Sequence, residues 1–270
     1  LLSRLPFAIR PFSQLSWMSF KGDMESALRC RYSYCATSLY LGIELTSVSK
    51  NFALCIQQSA KYQQQGVLHI AMAVFRASIH LSGEGGGDEI MSYEELNQIG
   101  EQSKNSILLF NVFMSKTFQH FWSRDYVAVV KLCEKQPPSY HKRILDVMRC
   151  FFEGIASMSL ARDTNQLKWR IIGEKAVKSM AKLEMINKWT FENKSKLLQA
   201  ELHYLDGHLN SAEVAYKASI VSAREHKFLH EEALAYELYG RFCLENQMVD
   251  QGVKQLNIAL DKYKQWGAMK

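Results

Sequence analysis

KLLQAELHYLDGHLNSAEVAYKASIVSAREHKFLHEEALAYELYGRFCLENQMVDQGVKQLNIALDKYKQWGAMK, residues 196–270, repeats against itself at a spacing of 40 residues. Ala200 falls on Gly240, Leu202 on Phe242, Tyr204 on Leu244, Leu209 on Val249, Ala212 on Gly252, Tyr216 on Leu256 and Ser219 on Ala259. Small residues meet small ones, and large meet large. A stack of helical hairpins needs this pattern: small side chains where two helices cross closely, and large apolar ones filling the groove to the next hairpin. The clearest repeats run over 196–226 and 232–266. Ala200, Ala212, Tyr216, Gly240, Gly252, Leu256, Ala259 and Trp266 are the expected structural repeat positions. Weaker echoes fall at Asp125-Tyr126-Val127-Ala128 through Leu132, and at Gly22-Asp23 with Ala27.

The rest of the chain agrees with an all-α fold, an antiparallel helical-hairpin solenoid of TPR-like type. Four prolines (Pro6, Pro11, Pro137, Pro138) leave two stretches of more than a hundred residues without an obligate helix breaker. Alternating Val/Ile/Thr runs bounded by Asn-Gly or Asp-Gly are missing, so strand signals are sparse. From Ser139 onward, Ile144, Leu145, Met148, Phe151, Phe152, Ile155 and Ala156 recur with helical periodicity and form one wide apolar stripe. Asn210 with Glu213, and Ser92 with Glu95, have capping-box spacing, while Asp125 and Asp250 read as N-caps. These signals predict about eleven helices, with turns near Gly22, Gly42, Gly66, Asp125, Pro137, Asp163, Gly207 and Asn246. Residues 1–22 read as a truncated lead-in, 23–270 as the helical-repeat domain, and 83–91 as a surface loop.

Composition bounds the function. With 47% hydrophobic, 11% aromatic and 22% charged residues, the chain can bury a core and is not a disordered tail. Six cysteines lack paired metal spacing and read as free thiols of a reducing, cytoplasmic protein. The most apolar run, 66–82, is broken by His69 and Arg76 and does not span a bilayer. The net charge of +6 is concentrated in 141–196, which holds twelve Lys/Arg and six Asp/Glu. Those charges are interleaved with Ile171, Ile172, Val177 and Met180, which favours solvated helix faces over a patch for an acidic surface or nucleic acid.

Residues 196–270 also resemble the helical region of very large sensor kinases of cyanobacteria and some algae. The resemblance lies in Glu232-Ala233-Leu234-Ala235-Tyr236-Glu237, Gly240-Arg241-Phe242, and Tyr263, Trp266, Gly267 and Ala268. The opening Gly22-Asp23-Met24-Glu25-Ser26-Ala27, with Tyr34-Cys35 and Gly42, is similar to the first helices of that region. In that family a protein-kinase-like domain and an AAA-type ATPase precede the TPR-like region, and GAF and histidine-kinase domains follow it. The resemblance implies a non-catalytic segment that couples neighbouring domains, with no activity carried by residues present here.

Candidate chemistry is thin, and neither a catalytic, a cofactor-binding nor a metal-ligating set is expected. His230-Glu231 has the order of a phosphoacceptor pair, but lacks the rest of that box and a nucleotide-binding domain, so it reads as structural. Gly83-Glu84-Gly85-Gly86-Gly87 lacks a following Lys-Ser/Thr and is trailed by Asp88 and Glu89, which fits a connector rather than a phosphate loop. His226 and His230 lie four apart without a carboxylate or thiol completing a metal set, and read as surface histidines at a helix end. Trp266-Gly267 reads as an aromatic cap on the last groove, with a hinge to a following domain as the alternative. The expected partners are adjacent domains or other proteins, with no membrane, nucleic acid or small-molecule substrate. The competing readings are a free-standing adaptor that holds a peptide in its concave groove, and an enzyme with a scattered site.

Overall fold

The computed structural model describes residues 23–83, 90–135 and 144–268. Within them lie twelve α-helices and no strand, with 86% helix, far above the roughly one-third typical of globular proteins. The helices are α1 (Met24–Tyr40), α2 (Leu45–Lys61), α3 (Gln65–Ser82), α4 (Tyr93–Gln102), α5 (Ser106–Trp122) and α6 (Tyr126–Glu134). There follow α7 (Ile144–Thr164), α8 (Leu167–Ile186), α9 (Lys188–Leu205), α10 (Leu209–Glu225), α11 (Leu229–Glu245) and α12 (Val249–Trp266). The lead-in 1–22, the glycine-rich 84–89, Pro137, Pro138 and the side chain of Ile144 lie outside the described residues.

One turn recurs and sets the rhythm. After α2, α4, α5, α9, α10 and α11 the chain passes through three residues, the middle one left-handed: Gln63, Lys104, Arg124, Gly207, Lys227 and Gln247, with φ between 52° and 75°. The next residue then donates its N–H back five positions, as His208 does to the His203 carbonyl at 2.8 Å, Phe228 to Ala223 at 2.9 Å and Met248 to Cys243 at 2.9 Å. This is the Schellman closure, which satisfies carbonyls that the helix end would otherwise leave free. Only one of the six left-handed positions is glycine. That is why the turns at Lys104 and Lys227 carry no sequence signal.

From α10 onward the spacing is strict. The helices begin at Leu209, Leu229 and Val249, each seventeen or eighteen residues long. The 40-residue repeat is thus a pair of 20-residue units, each one helix and one three-residue turn. This closure moves some helix starts from the positions expected. Because His208 and Met248 are the last residues of their turns, the helices start at Leu209 and Val249, and Asn210 and Asp250 stand inside their first turns rather than capping them. Gly66 likewise falls within α3, and the turn placed near Asp163 occurs after Thr164. Asp125 does cap α6 by accepting from the Ala128 N–H, and Ser92 with Glu95 forms a full capping box on α4.

The chain divides into two compact units, one formed chiefly by residues up to Gln119, the other chiefly by residues from His120 to Trp266. In the first, α3 is the central element, with Ala71, Ala73, Val74 and Ala77 fully buried. Tyr93 and Leu96 of α4 and Leu108 and Val112 of α5 pack against its Ile70 and Ala73. Arg76 closes the junction by donating to the Ile90 carbonyl at 2.7 Å. No described helix is long and apolar enough to cross a membrane.

In the second unit, consecutive helices from α7 to α12 pack side by side, and α9 also touches α7 and α11. Helices joined by three residues and packed along their length run antiparallel. The closest crossing is α11 on α12. A methyl group built on Gly240 would lie 3.1 Å from the Gly252 carbonyl oxygen, and one on Gly252 would lie 3.0 Å from the Gly240 carbonyl oxygen and 2.7 Å from Leu244 Cδ2. Ala200, Ala212, Tyr216, Ala259 and Trp266 are buried, while Leu256 is half-buried, with its Cγ 2.8 Å from where a Gly240 Cβ would stand. A second close approach, absent from the sequence reading, brings Gly154 of α7 against Ala176 of α8 and Gly173 of α8 against Met158 of α7.

Gly252→Leu therefore drives a side chain into backbone that cannot retreat, and is expected to cost about 1–3 kcal/mol in urea unfolding. Gly66→Ala meets nothing within 4 Å and is expected to raise stability by roughly 0.5–1 kcal/mol, through lost unfolded-state freedom. Equal effects of the two substitutions would contradict the close crossing of α11 and α12.

Candidate functional site

Helix α11 holds the greatest density of buried polar chemistry in the second unit. Thirteen of its seventeen residues are buried, including His230, Glu231, Glu232 and Glu237. A carboxylate taken out of water needs a cation and further donors, or it protonates. Each of the three is supplied from a different direction.

Glu231 Oε2 accepts from Lys194 Nζ of α9 at 2.7 Å and from the Asn193 side-chain amide. Lys194 donates also to the Thr190 carbonyl and lies 4.5 Å from the centre of the Phe228 ring. Glu232 accepts from Arg224 Nε at 2.9 Å and stands 3.0 Å from Lys262 Nζ of α12. Glu237 Oε1 accepts from Arg124 Nε at 2.8 Å, and Oε2 from the Tyr263 hydroxyl at 2.8 Å. Arg124 also donates to the Tyr263 hydroxyl at 2.6 Å, and Arg241 lies 2.9 Å from Glu237. A fourth buried acid, Glu201 of α9, pairs with Arg162 at 2.6 Å and accepts from Tyr216.

The electrostatics of the Glu237 cluster follow from these contacts. Burial alone raises the carboxyl pKa, but Arg124, Arg241 and the Tyr263 hydrogen bond outweigh it and hold Glu237 down to about 2, from the usual 4.5. Tyr263 moves the other way: burial, with Glu237 adding to it, keeps the phenol protonated despite Arg124. Glu237 is thus fixed as an anion and Tyr263 as a neutral donor across the ordinary pH range. Neither is poised to exchange a proton near neutrality, which general acid–base work requires.

His230 lies where the sequence reading did not put it. It is fully buried rather than on the surface, with its ring centre 5.2 Å from those of Trp122 and Trp266. Residues 230–240 of α11 are all buried, so the first turn of this helix is interior. A phosphoacceptor imidazole must reach solvent, and this one does not. His226 is half-buried against Trp189. Among the described residues no three His, Cys, Asp or Glu side chains converge as a metal set. Three buried thiols are held away from the reactive thiolate: burial raises Cys35 and Cys133 to about 12 and Cys55 to about 11.

The repeat positions singled out in the sequence thus form packing contacts, whereas the polar cluster on α11 draws partners from α6's leading turn, α9, α10 and α12. Arg124 and Glu237 are 113 residues apart, and no spacing rule links them. The faint signal available was the run of acids His230-Glu231-Glu232 and Glu237 inside an otherwise apolar helix.

Glu237→Gln removes the charge but leaves Arg124 buried beside it, and is expected to lose about 3 kcal/mol at neutral pH. The native carboxyl has the depressed pKa, so its contribution is fully present above about 4.5 and disappears as pH falls through about 2. Chemical unfolding of both proteins at pH 7 and at pH 2–3 should show the difference shrinking on acidification; a gap that widens would contradict the assignment. No protein-family model, curated protein or solved structure matches this chain.

Proposed function

We propose that the chain is a non-catalytic scaffold, a TPR-like stack of helical hairpins that holds and couples neighbouring domains or partner proteins in the cytoplasm. The observation that carries this reading is the use made of the titratable residues. On α11, where acids and a histidine gather, each buried carboxylate is spent on an internal ion pair and the imidazole is enclosed between two indoles. Such networks stiffen a stack and specify its register, and a stiff stack can pass a displacement from one end to the other. The 20-residue unit of helix and turn supports the TPR-like arrangement, because equal units stack with equal rotation. The resemblance of 196–270 to the helical region of sensor kinases suggests the class of neighbour: nucleotide-driven and phosphotransfer domains of a signalling protein.

The alternative is a free-standing adaptor that takes a peptide in its groove. The open reading frame separates the two: continuation into kinase or ATPase domains removes the adaptor, and a frame confined to this chain removes the cis-acting coupler.

Incubated with labelled ATP, the purified chain is expected neither to hydrolyse nucleotide nor to retain label, since its glycine run lacks the Lys-Ser/Thr of a phosphate loop and His230 is buried. Label that is retained by the wild type and lost in His230→Ala would overturn the non-catalytic reading. So would ATP turnover that survives purification to constant specific activity.

A further inference from the structure

Helix α8 presents two faces of opposite character. Trp169, Gly173, Ala176 and Met180 are buried at helical spacing. At 3.6 residues per turn the side facing away from them is centred on Ile171, Lys175, Lys178 and Lys182, all exposed. That side ends in Met185 and Ile186, which are 88% and 80% exposed and the most exposed large apolar residues described in the chain.

The lysines are not neutralised from within. The two acids of α8 are engaged elsewhere, Glu174 with Arg170 at 2.9 Å and Glu184 with Lys196 at 3.6 Å. Lys175, Lys178 and Lys182 have no carboxylate partner among the described residues. The apolar pair stands at a sharp corner: Asn187, with φ −146° and ψ 88°, both ends α8 and caps α9 by accepting from the Thr190 N–H. Trp189 follows on the first turn of α9, 42% exposed, with its ring against Phe228 and His226.

The geometry of this face selects its partner. It is a single helix face whose exposed large apolar residues include Ile171 towards one end and Met185 with Ile186 at the other. Lysines occupy the middle of the stripe, so a partner helix would find no continuous apolar seam to bury. A flat anionic surface meets three lysines at once over a length of about 10 Å, while a protruding Met-Ile corner can pass between headgroups with an indole at headgroup depth. We propose that α8 and the α8–α9 corner dock on an anionic phospholipid surface, with Lys175, Lys178 and Lys182 on lipid phosphates and Met185 and Ile186 entering the acyl boundary. The contact is superficial, because no described helix can cross the bilayer. Such a surface contact goes beyond the expectation of no membrane partner, which rests on the lack of a spanning run.

Cosedimentation of the full chain with phosphatidylserine-containing vesicles, against vesicles of phosphatidylcholine alone, tests the proposal. Binding is expected to the first and to fall with added salt. Lys175→Gln/Lys178→Gln/Lys182→Gln should weaken it about a hundredfold, at roughly fivefold per lysine. Met185→Ser/Ile186→Ser should weaken it with the salt dependence retained. All five side chains are exposed, and an unchanged far-UV circular dichroism spectrum confirms that each variant folds. Trp189 emission should shift to the blue on binding, and Trp189→Phe should abolish the shift. Failure of the wild type to bind anionic vesicles overturns the proposal, as does binding indifferent to both sets of substitutions. Lysine-dependent capture of duplex DNA or of an acidic peptide without vesicle binding would assign the face to that partner and overturn it equally. None of these outcomes bears on the scaffold reading, which concerns α11.

Discussion

Burial of residues 230–240 of helix α11 on every side is possible only because each carboxylate among them meets a cation. Unpaired, Glu231, Glu232 or Glu237 would cost several kcal/mol of desolvation, more than a marginally stable domain can absorb in triplicate. Paired, they lock α11 to α9 through Lys194, to α10 through Arg224, to α12 through Lys262 and Tyr263, and to the turn after α5 through Arg124. Apolar packing alone would let these helices slide by a turn with little penalty, since one Leu or Ala replaces another. An ion pair with defined donors does not slide. The charged seam thus specifies the register that the apolar residues merely permit.

The recurrent Schellman turn supplies the second constraint. With three residues between helices, the second helix has no choice but to fold back on the first, and its start is fixed to the residue after the third. Equal helix lengths then make equal units. Gly240 and Gly252 complete the geometry by letting α11 and α12 approach until backbone nearly touches backbone, which brings Tyr263 and Trp266 within reach of Arg124 and His230.

The second unit therefore has an inside and an outside with different work. Inside, acids and bases are matched and held; outside, α8 leaves three lysines and two large apolar side chains in water. A structural role accounts for the first arrangement. It does not account for the second, since exposing methionine and isoleucine side by side brings no stability.

By itself the sequence determined the helical class, the absence of strands among the described residues, the 40-residue period and the small positions along it. These are local or periodic properties, set by propensity, by the spacing of apolar residues and by the scarcity of proline. Individual caps were legible where a side chain does the capping, as at Ser92, Glu95 and Asp125, and illegible where backbone alone closes the turn, as at Lys104 and Lys227. Only the tertiary structure decided that His230 is interior, that Glu237 is held by an arginine 113 residues away, and that the stripe on α8 is left open. Burial and long-range charge pairing depend on what the rest of the chain places nearby, and a side chain's own identity does not encode that.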